Sequence, residues 1–551
     1  MPTDFIERLL RLKGLVDPFE REKFLNPSYE EHMHDPFLIP DMEKALIRIF
    51  EAMQAGEKIV VYSDYDCDGI PGAVIIHDLF KKIGYTNFQI YIPDRHDEGY
   101  GLNHDAIEQF IADGVNLLIT IDLGSSDVAD VMYAEANGIN VIITDHHLPP
   151  ATLPPAFAIV NPKVPGSVYP DPMLCGAGVM FKLVQGFIIK YGEFYKIPKG
   201  WEKWLLDMAG LATLSDMVPL RNENRVIASY GLRVLRKSPR PGIQMLLRKL
   251  AINQAHLTED DVAFMITPRI NAASRMDSPM RAFELLATKD ETEAGVLVNH
   301  LEKINNERKK LVAQIMKTAY ARLEEREMRD VIVIGDPDWR VGVLGLIAGK
   351  LVEEFMKPAF VWGREGANGR VLLKGSCRSD GSVNIVELMR SLPDSFVDMG
   401  GHELAGGFSV TDENIHTLEE KLSEKYKELK RSNDKRISED AEIDLGSVTE
   451  DTNRILDSMA PYGCDNSKPI FSFKRVTIES SRQFGKEKNH LELIVSDGKN
   501  KKKCIAFFSS GENFGLELAL GDVVTVVGTI EKSYFLNRPE LRIRILDIVG
   551  S

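Results

Sequence analysis

From Lys58 to Asp216 short apolar runs alternate with stretches of helical periodicity. KIVVYSDYD (58–66), NFQIYIP (87–93), VNLLITID (115–122), INVIITDHH (139–147) and AFAIVNP (156–162) predict strands buried on both faces. Helical patterns over Gly72–Ile83, Asn103–Asp113 and Val128–Asn137 separate them, so the unit is a parallel α/β sheet. Three of the strands end in polar residues, at the edge where open α/β sheets place their ligands. The stretch 175–250 reads as mostly helical, and 289–329 as a long helix bridging two globular parts. A second α/β unit starts at DVIVIGD (330–336), continues through a helix over Gly345–Phe355 and the apolar PAFVW (358–362), and ends near Leu429. KRSNDKRISED (430–440) has the composition of a linker. After Pro469 about five short strands with turns predict a small all-β barrel, an OB-fold first of all.

At 551 residues the chain exceeds one ordinary domain. Acidic residues outnumber basic ones by 82 to 67, a net charge of −15 that taken alone argues against a nucleic-acid binder. A basic groove can still sit locally on an acidic protein. Five scattered cysteines without a CxxC pair fit reduced thiols better than disulfides or a zinc knuckle. The N-terminus reads as a short amphipathic helix and not a signal peptide, and no run of about 18 apolar residues predicts a membrane span. The expectation is a cytoplasmic enzyme.

SDYDCDG sets Asp64, Asp66 and Asp68 within five residues at a strand end. Carboxylates that close raise one another's pKa unless cations lie between them. Asp122 ends a second buried strand, Asp145, His146 and His147 a third, and Asp216 follows the apolar run GLATL. Each fragment alone is compatible with a helix cap or a solvated turn. Together they place hard oxygen ligands and imidazole at neighbouring strand ends, a set suited to Mn²⁺ or Mg²⁺. Its physical use is two-metal hydrolysis of a phosphoester.

DYDCDG, TIDLG, TDHH and TLSD resemble the four signatures of the DHH phosphoesterases. The likeness extends along most of the chain. NPSYEEHMHDPFLIPDMEKALIRI (26–49), DRHDEGYGL (94–102), LCGAGVMFKL (174–183) and TPRINAASRM (267–276) resemble RecJ exonuclease segments, and GGHELAGGFSV (400–410) resembles the glycine-rich motif of the DHHA1 domain. The resemblance implies a single-strand-specific DNA exonuclease of recombination and repair, digesting 5′ to 3′ and releasing mononucleotides with two Mn²⁺ or Mg²⁺ ions. It implies Asp64, Asp66, Asp68, Asp122, His146 and Asp216 as metal ligands, with Asp122 bridging. His147 is implied as a phosphate or metal-site residue, and Asp122, His146 and His147 as the catalytic group. Single-stranded DNA is the implied partner, with a single-strand-binding protein and a RecQ-type helicase as protein partners. The expected division is an N-terminal helical segment (1–55), a DHH domain (56–225), a helical region with the connecting helix (226–329), a DHHA1 domain (330–429), a linker (430–465) and an OB-fold (466–551). Arg340-Val341, Ser274, Leu123 and Pro71-Gly72 depart from the commoner family pattern without removing a proposed ligand.

A phosphodiesterase also needs cations for neighbouring phosphates. Arg269, Asn271 and Arg275 form one compact polar run, and Ser376, Arg378 and Ser379 another. Gly400 and Gly401 before His402 allow close backbone approach to a phosphate. In the barrel, Arg475, Arg482, the KNKKK run (499–503), Phe484, Tyr534 and Phe535 interleave charge and aromatic rings, a pattern suited to base stacking. A DHH hydrolase of short RNA or cyclic dinucleotides and a non-catalytic scaffold are the alternatives. The complete set of acidic and histidine motifs disfavours the scaffold.

Overall fold

The computed structural model describes residues 2–95, 98–365, 372–431, 439–485, 488–509, 514–533 and 539–550. Three sheets organise the chain. The first contains β1 (Ile59–Ser63), β2 (Phe88–Tyr91), β3 (Leu117–Ile121), β4 (Asn140–Thr144) and β5 (Ala158–Val160), in order β2-β1-β3-β4-β5 with every pairing parallel. β1 and β3 are buried at every position, which is why their runs lack polar alternation. Register aligns Ser63 with Ile121, Ile121 with Thr144, and Thr144 with Val160. Asp64, Asp122, Asp145 and Asn161, each the next residue after its strand, therefore lie in one row along the carboxyl edge.

The second sheet is mixed: β6 (Ile332–Gly335), β7 (Ala359–Glu365), β8 (Leu372–Arg378), β9 (Asp398–His402) and β10 (Ala405–Thr411), in order β6-β7-β8-β10-β9. The Glu291–Glu324 helix joins the two units; Asp290 caps it by accepting from the Glu293 amide, and its inner face packs on the Thr267–Met276 helix. The third sheet closes into a barrel: β11 (Ala441–Glu442), β12 (Phe471–Phe484), β13 (His490–Ser496), β14 (Lys501–Ala506), β15 (Val523–Ser533) and β16 (Glu540–Gly550), with β12 also pairing β15.

Two features differ from expectation. The stretch expected as a linker supplies β11 and the Glu450–Met459 helix, and its Ala441, Leu445, Val448, Leu456 and Met459 join the barrel core. The N-terminal helices Pro2–Leu12 and Pro18–Leu25 also pack on the barrel: Leu9, Leu10, Leu15 and Phe24 share that core, and Phe5 stacks on Phe471. Sequence position hid this, because one amphipathic helix does not say which of three cores covers it.

Buried Arg225 fastens the joint between barrel and first unit. Its guanidinium lies 3.6 Å over the Phe24 ring and donates to the carbonyls of Phe24, Met459, Ala460 and Pro461. Among the described residues no carboxylate lies within ion-pair reach of it. Arg225→Met should lower stability by about 3 kcal/mol, since it removes a desolvated cation–π contact and leaves buried carbonyls unpaired. The midpoint of the transition that reports barrel release in thermal unfolding checks this.

Candidate metal centre

The row of strand ends converges on one pocket. The backbone ladder continues one residue beyond each strand: the amides of Asp64, Asp122 and Asp145 donate to the carbonyls of Ile121, Thr144 and Val160 at 3.0, 2.9 and 3.2 Å. Asp122 adopts φ +64, a left-handed conformation that short polar residues tolerate and that turns the carboxyl group off the strand direction. Asp66 accepts from the amides of Asp68 and Gly69 at 2.7 and 3.2 Å, tightening the acidic loop. Asp68 accepts from the Gly176 and Ala177 amides at 2.6 and 2.7 Å, so its carboxylate sits on the N-terminus of the Gly176–Tyr191 helix. Asn271 accepts from the Cys67 amide at 2.8 Å and holds the same loop from the other side.

Three ligand groupings result: Asp64, Asp66 and Asp122; Asp68, His146 and Asp216; and Asp122, His146 and His147. Within each, one donor atom per residue lies within 4.8 Å of the others. Asp122 and His146 each belong to two groupings, the arrangement that neighbouring cations sharing ligands require. His146 Nε2 lies 3.1 Å from Asp122 Oδ1, 3.7 Å from Asp68 Oδ2 and 3.8 Å from Asp216 Oδ2. Even so, Asp64 Oδ1, Asp122 Oδ1 and His146 Nδ1 are buried without an aligned hydrogen-bond partner. Buried polar atoms left unpaired are costly, and divalent cations would satisfy the two carboxylate oxygens.

The charges point the same way. Burial first, and then Asp66, pushes Asp68 up to about 6 and Asp64 well above the carboxylate range. Burial and the Asp68 carboxylate do the same to Asp122 and Asp216. Burial and the charge of His147 push His146 down to about 3, leaving it neutral and able to ligate. Asp145 is different. Burial would raise it, but hydrogen bonds from His147 Nδ1 at 2.8 Å, the His146 and His147 amides and the Ser125 amide hold it below its ordinary range. It belongs to none of the ligand groupings; it faces His147 and fixes that ring's orientation, and the same contact raises His147 against its own burial.

Close packing makes this possible. A Cβ on Gly176 would meet Asp122 Cβ at 2.5 Å, and one on Gly69 would strike the Asp64 carbonyl. Leu123, where the family pattern commonly differs, is fully buried core.

The substrate-side candidates separate. His402 at the end of β9 lies over His147, ring centroids 6.1 Å apart and nearly parallel. Gly401, at φ +140, has no room for a Cβ against Ala405 and Gly406, whereas Gly400 is open. Arg275 is half-buried, donates to the Gly342 carbonyl at 2.8 Å, and is held below its ordinary pKa by desolvation and then by Arg95, Arg308 and Arg378. Arg378 and Ser376 pack against Gly345 in the first turns of the Val341–Phe355 helix. Arg269 is committed elsewhere: it pairs with Glu302 at 2.6 Å and donates to the Met265 carbonyl, tying two helices together. Asn271 likewise serves the acidic loop.

Sequence reasoning missed three residues. Tyr100, between Gly99 and Gly101 at φ +84 and +91, brings its hydroxyl to 3.3 Å from the Asp122 carbonyl and leaves its ring exposed beside His147. The glycines flanking a tyrosine just after a strand were the available signal. Arg95 lies over the Tyr65 ring at 4.9 Å. Asn161 donates to the His147 carbonyl at 2.9 Å. On the barrel, Phe484 clusters with His490, Phe507 and the exposed Phe508, and Arg542 and Arg544 lie 5.5 and 5.7 Å from the Phe507 ring. Arg482, Lys501 and Lys503 pair with Glu492, Glu479 and Glu540. Tyr534 and Phe535 fall outside the described residues.

Fold and site define a metal-dependent phosphoesterase. The model of the DHH family N-terminal domain matches residues 58–213, that of the DHHA1 domain 313–428, and that of the RecJ OB domain 439–547. Single-stranded-DNA-specific exonuclease RecJ of Bacillus subtilis is 32% identical over 553 residues, 100% of this chain and 68% of the relative. That of Escherichia coli is 31% identical over 449 residues, 78% and 77% of the two chains. The chain belongs to the RecJ exonuclease family. A crystal structure of Thermus thermophilus RecJ in complex with Mn²⁺ superposes with a TM-score of 0.82 at 24% identity, covering 99% of this chain and 76% of that one. Another, of exonuclease RecJ bound to manganese, gives 0.60 at 29% identity, covering 72% and 96%. No described helix is long and apolar enough to cross a membrane.

Two outcomes follow for the metal site. In chelator, the folded state binds protons at Asp64, Asp68, Asp122 and Asp216 more tightly than the unfolded chain, whose aspartates titrate near about 4. Their repulsion is fully expressed above the folded-state pKa and relieved as pH falls through about 6 toward the unfolded value. The gain in melting temperature on adding Mn²⁺ should therefore be largest at neutral pH and shrink below about 6, as protons take the cations' place; scanning calorimetry with Mn²⁺ or chelator reads it. Asp145→Asn should lower activity about 10- to 100-fold with the fold retained, because it loosens the group that orients His147. Steady-state rates on single-stranded DNA measure that.

Proposed function

We propose that the chain is a single-stranded-DNA-specific exonuclease that digests 5′ to 3′ by two-metal-ion phosphodiester hydrolysis. It releases mononucleotides and serves DNA recombination and repair in the cytoplasm, alongside a single-strand-binding protein and a RecQ-type helicase. The observation that carries the chemistry is the sharing of Asp122 and His146 between ligand groupings in which the buried Asp64 Oδ1 and Asp122 Oδ1 have no hydrogen-bond partner. The relatives' names, single-stranded-DNA-specific exonuclease, support the substrate.

Asp64, Asp66, Asp68, Asp122, His146 and Asp216 would hold the cations, Mn²⁺ or Mg²⁺, which when bound lower the pKa of a water and neutralise charge on phosphate oxygens. Asp145 occupies His147 Nδ1, leaving Nε2 of a ring raised toward the charged form to donate to a phosphate oxygen. His402, lowered by burial and by His147, faces it from the second sheet, and Gly400 beside it leaves the backbone bare for close approach. Arg275 and Arg378 gather mutually repelling positive charge that a phosphate would relieve, and the Ser376 hydroxyl lies beside Arg378 at Gly345. The close approach of the His147 and His402 rings, centroids 6.1 Å apart, narrows the cleft between the two sheets, in keeping with a single-stranded substrate. The exposed ring of Phe508 gives the emerging strand a stacking surface on the barrel.

With Mn²⁺, 5′-phosphorylated single-stranded DNA labelled at either end should be shortened from its 5′ end, while duplex and dinucleotide are spared. Chelator should stop the reaction, and Asp122→Ala should reduce it to background. Equal digestion of duplex, or preference for the dinucleotide, overturns the reading.

A further inference from the structure

The fifth strand end carries a cation that the proposed mechanism above does not use. β5 runs into Asn161-Pro162-Lys163 at the same edge as the acidic row. The turn is built for presentation. The Asn161 carbonyl accepts from the Val164 amide at 3.3 Å, with Pro162 setting the backbone between them. The Asn161 side chain is fully buried and fully used: Oδ1 accepts from the Lys163 amide at 2.8 Å, and Nδ2 donates to Ser125 Oγ at 3.0 Å and to the His147 carbonyl at 2.9 Å. The Lys163 backbone is therefore locked to the loop that carries His146 and His147.

Its side chain is half-buried. The carboxylates acting on its ammonium are Asp216 and Asp145, and the ammonium in turn acts on the imidazoles of His146 and His402. Asp145 and His146 follow β4, Asp216 caps the end of the Leu206–Ser215 helix, and His402 ends β9 on the second sheet, so the four groups border the cleft from both of its sides. Among the described residues no carboxylate lies within ion-pair distance of Lys163. A long cationic side chain held in a preformed turn, drawn in beside the metal centre and left without a protein counter-ion, has the properties of an anion contact.

The geometry points to Lys163 as a phosphate-positioning residue that contacts a substrate phosphate next to the metal centre, on the side of the cleft bounded by His402. This rests on the nuclease reading. A contact of this kind holds the strand without taking part in bond breaking. Its loss should weaken binding uniformly across base sequences and release fewer counterions.

The experiment uses the full chain with Mn²⁺, and measures KM, kcat and the NaCl dependence of kcat/KM on 5′-phosphorylated oligothymidine. For Lys163→Ala and the closer-sized Lys163→Gln, KM should rise severalfold with kcat nearly unchanged. The slope of log(kcat/KM) against log[NaCl] should become shallower by about 0.7, the share of one single-strand phosphate contact. Lys163→Arg should keep the wild-type slope, and Mn²⁺ affinity, read by electron paramagnetic resonance of free Mn²⁺, should not weaken in any of them. An unchanged slope, a loss confined to kcat, or a weakened Mn²⁺ affinity overturns the assignment. A wild-type chain that digests no single-stranded DNA overturns the nuclease reading instead, so the two failures are distinct.

Discussion

Buried negative charge without an equal amount of protein positive charge governs this molecule. Asp64, Asp68, Asp122 and Asp216 lie together in a pocket where water cannot screen them, and each is driven toward its protonated form. A fold that kept such a cluster for stability alone would neutralise it with lysine or arginine. Among the described residues no lysine or arginine lies within ion-pair distance of these four; they are met by backbone amides and by the imidazoles of His146 and His147. Those amides are directed: the Gly176–Tyr191 helix aims its first two N–H groups at Asp68, and Gly176 must lack a side chain so that Asp122 can lie against it. The parallel sheet sets the spacing, because its register brings the first residue after each of four strands into one row.

Positive charge is kept one step away. Arg95, Arg275, Arg308 and Arg378 crowd one another beside the acidic pocket and not inside it, so a polyanion could bridge the two regions while cations filled the first. The overall charge of −15 says little about this, since the acidic excess and the guanidinium cluster occupy different places. Binding of a nucleic acid is decided by the local field in the cleft. The second sheet contributes by bringing His402 and Arg378 over the first, and the 34-residue connecting helix carries the geometry.

The barrel is fixed to the first unit by elements from both ends of the chain. Phe5, Leu9, Leu10 and Phe24 fill a core otherwise made from residues after 440, and Arg225 reaches across to four carbonyls. Lys468 pairs with Asp260 at the same junction. The barrel is thus held in a set position against the first unit.

Strand identity, the parallel sheet, the bridging helix, the terminal barrel and the gathering of acidic and histidine side chains at one sheet edge were all open to reading along the chain, because each rests on local periodicity or on acidic residues that directly follow an apolar run. Side-chain partnership was not. Arg269 and Arg275 stand six residues apart in one polar segment, yet one is spent on Glu302 and the other joins the guanidinium cluster. The part of 430–465 described from residue 439 onward looks like linker in composition but pairs with β12 and enters a core, since a few apolar residues suffice when a barrel wall waits for them. Asn161 and Lys163 carry no motif of their own, and Tyr100 lies in the DRHDEGYGL segment with nothing there to mark its partner; only the meeting of distant segments brings them to His147 and Asp216. Periodicity and chemistry along the chain specify which elements form and which residues can hold a cation. Which of the remaining polar groups face the substrate depends on contacts between segments far apart in sequence, and those exist only once the sheets have packed.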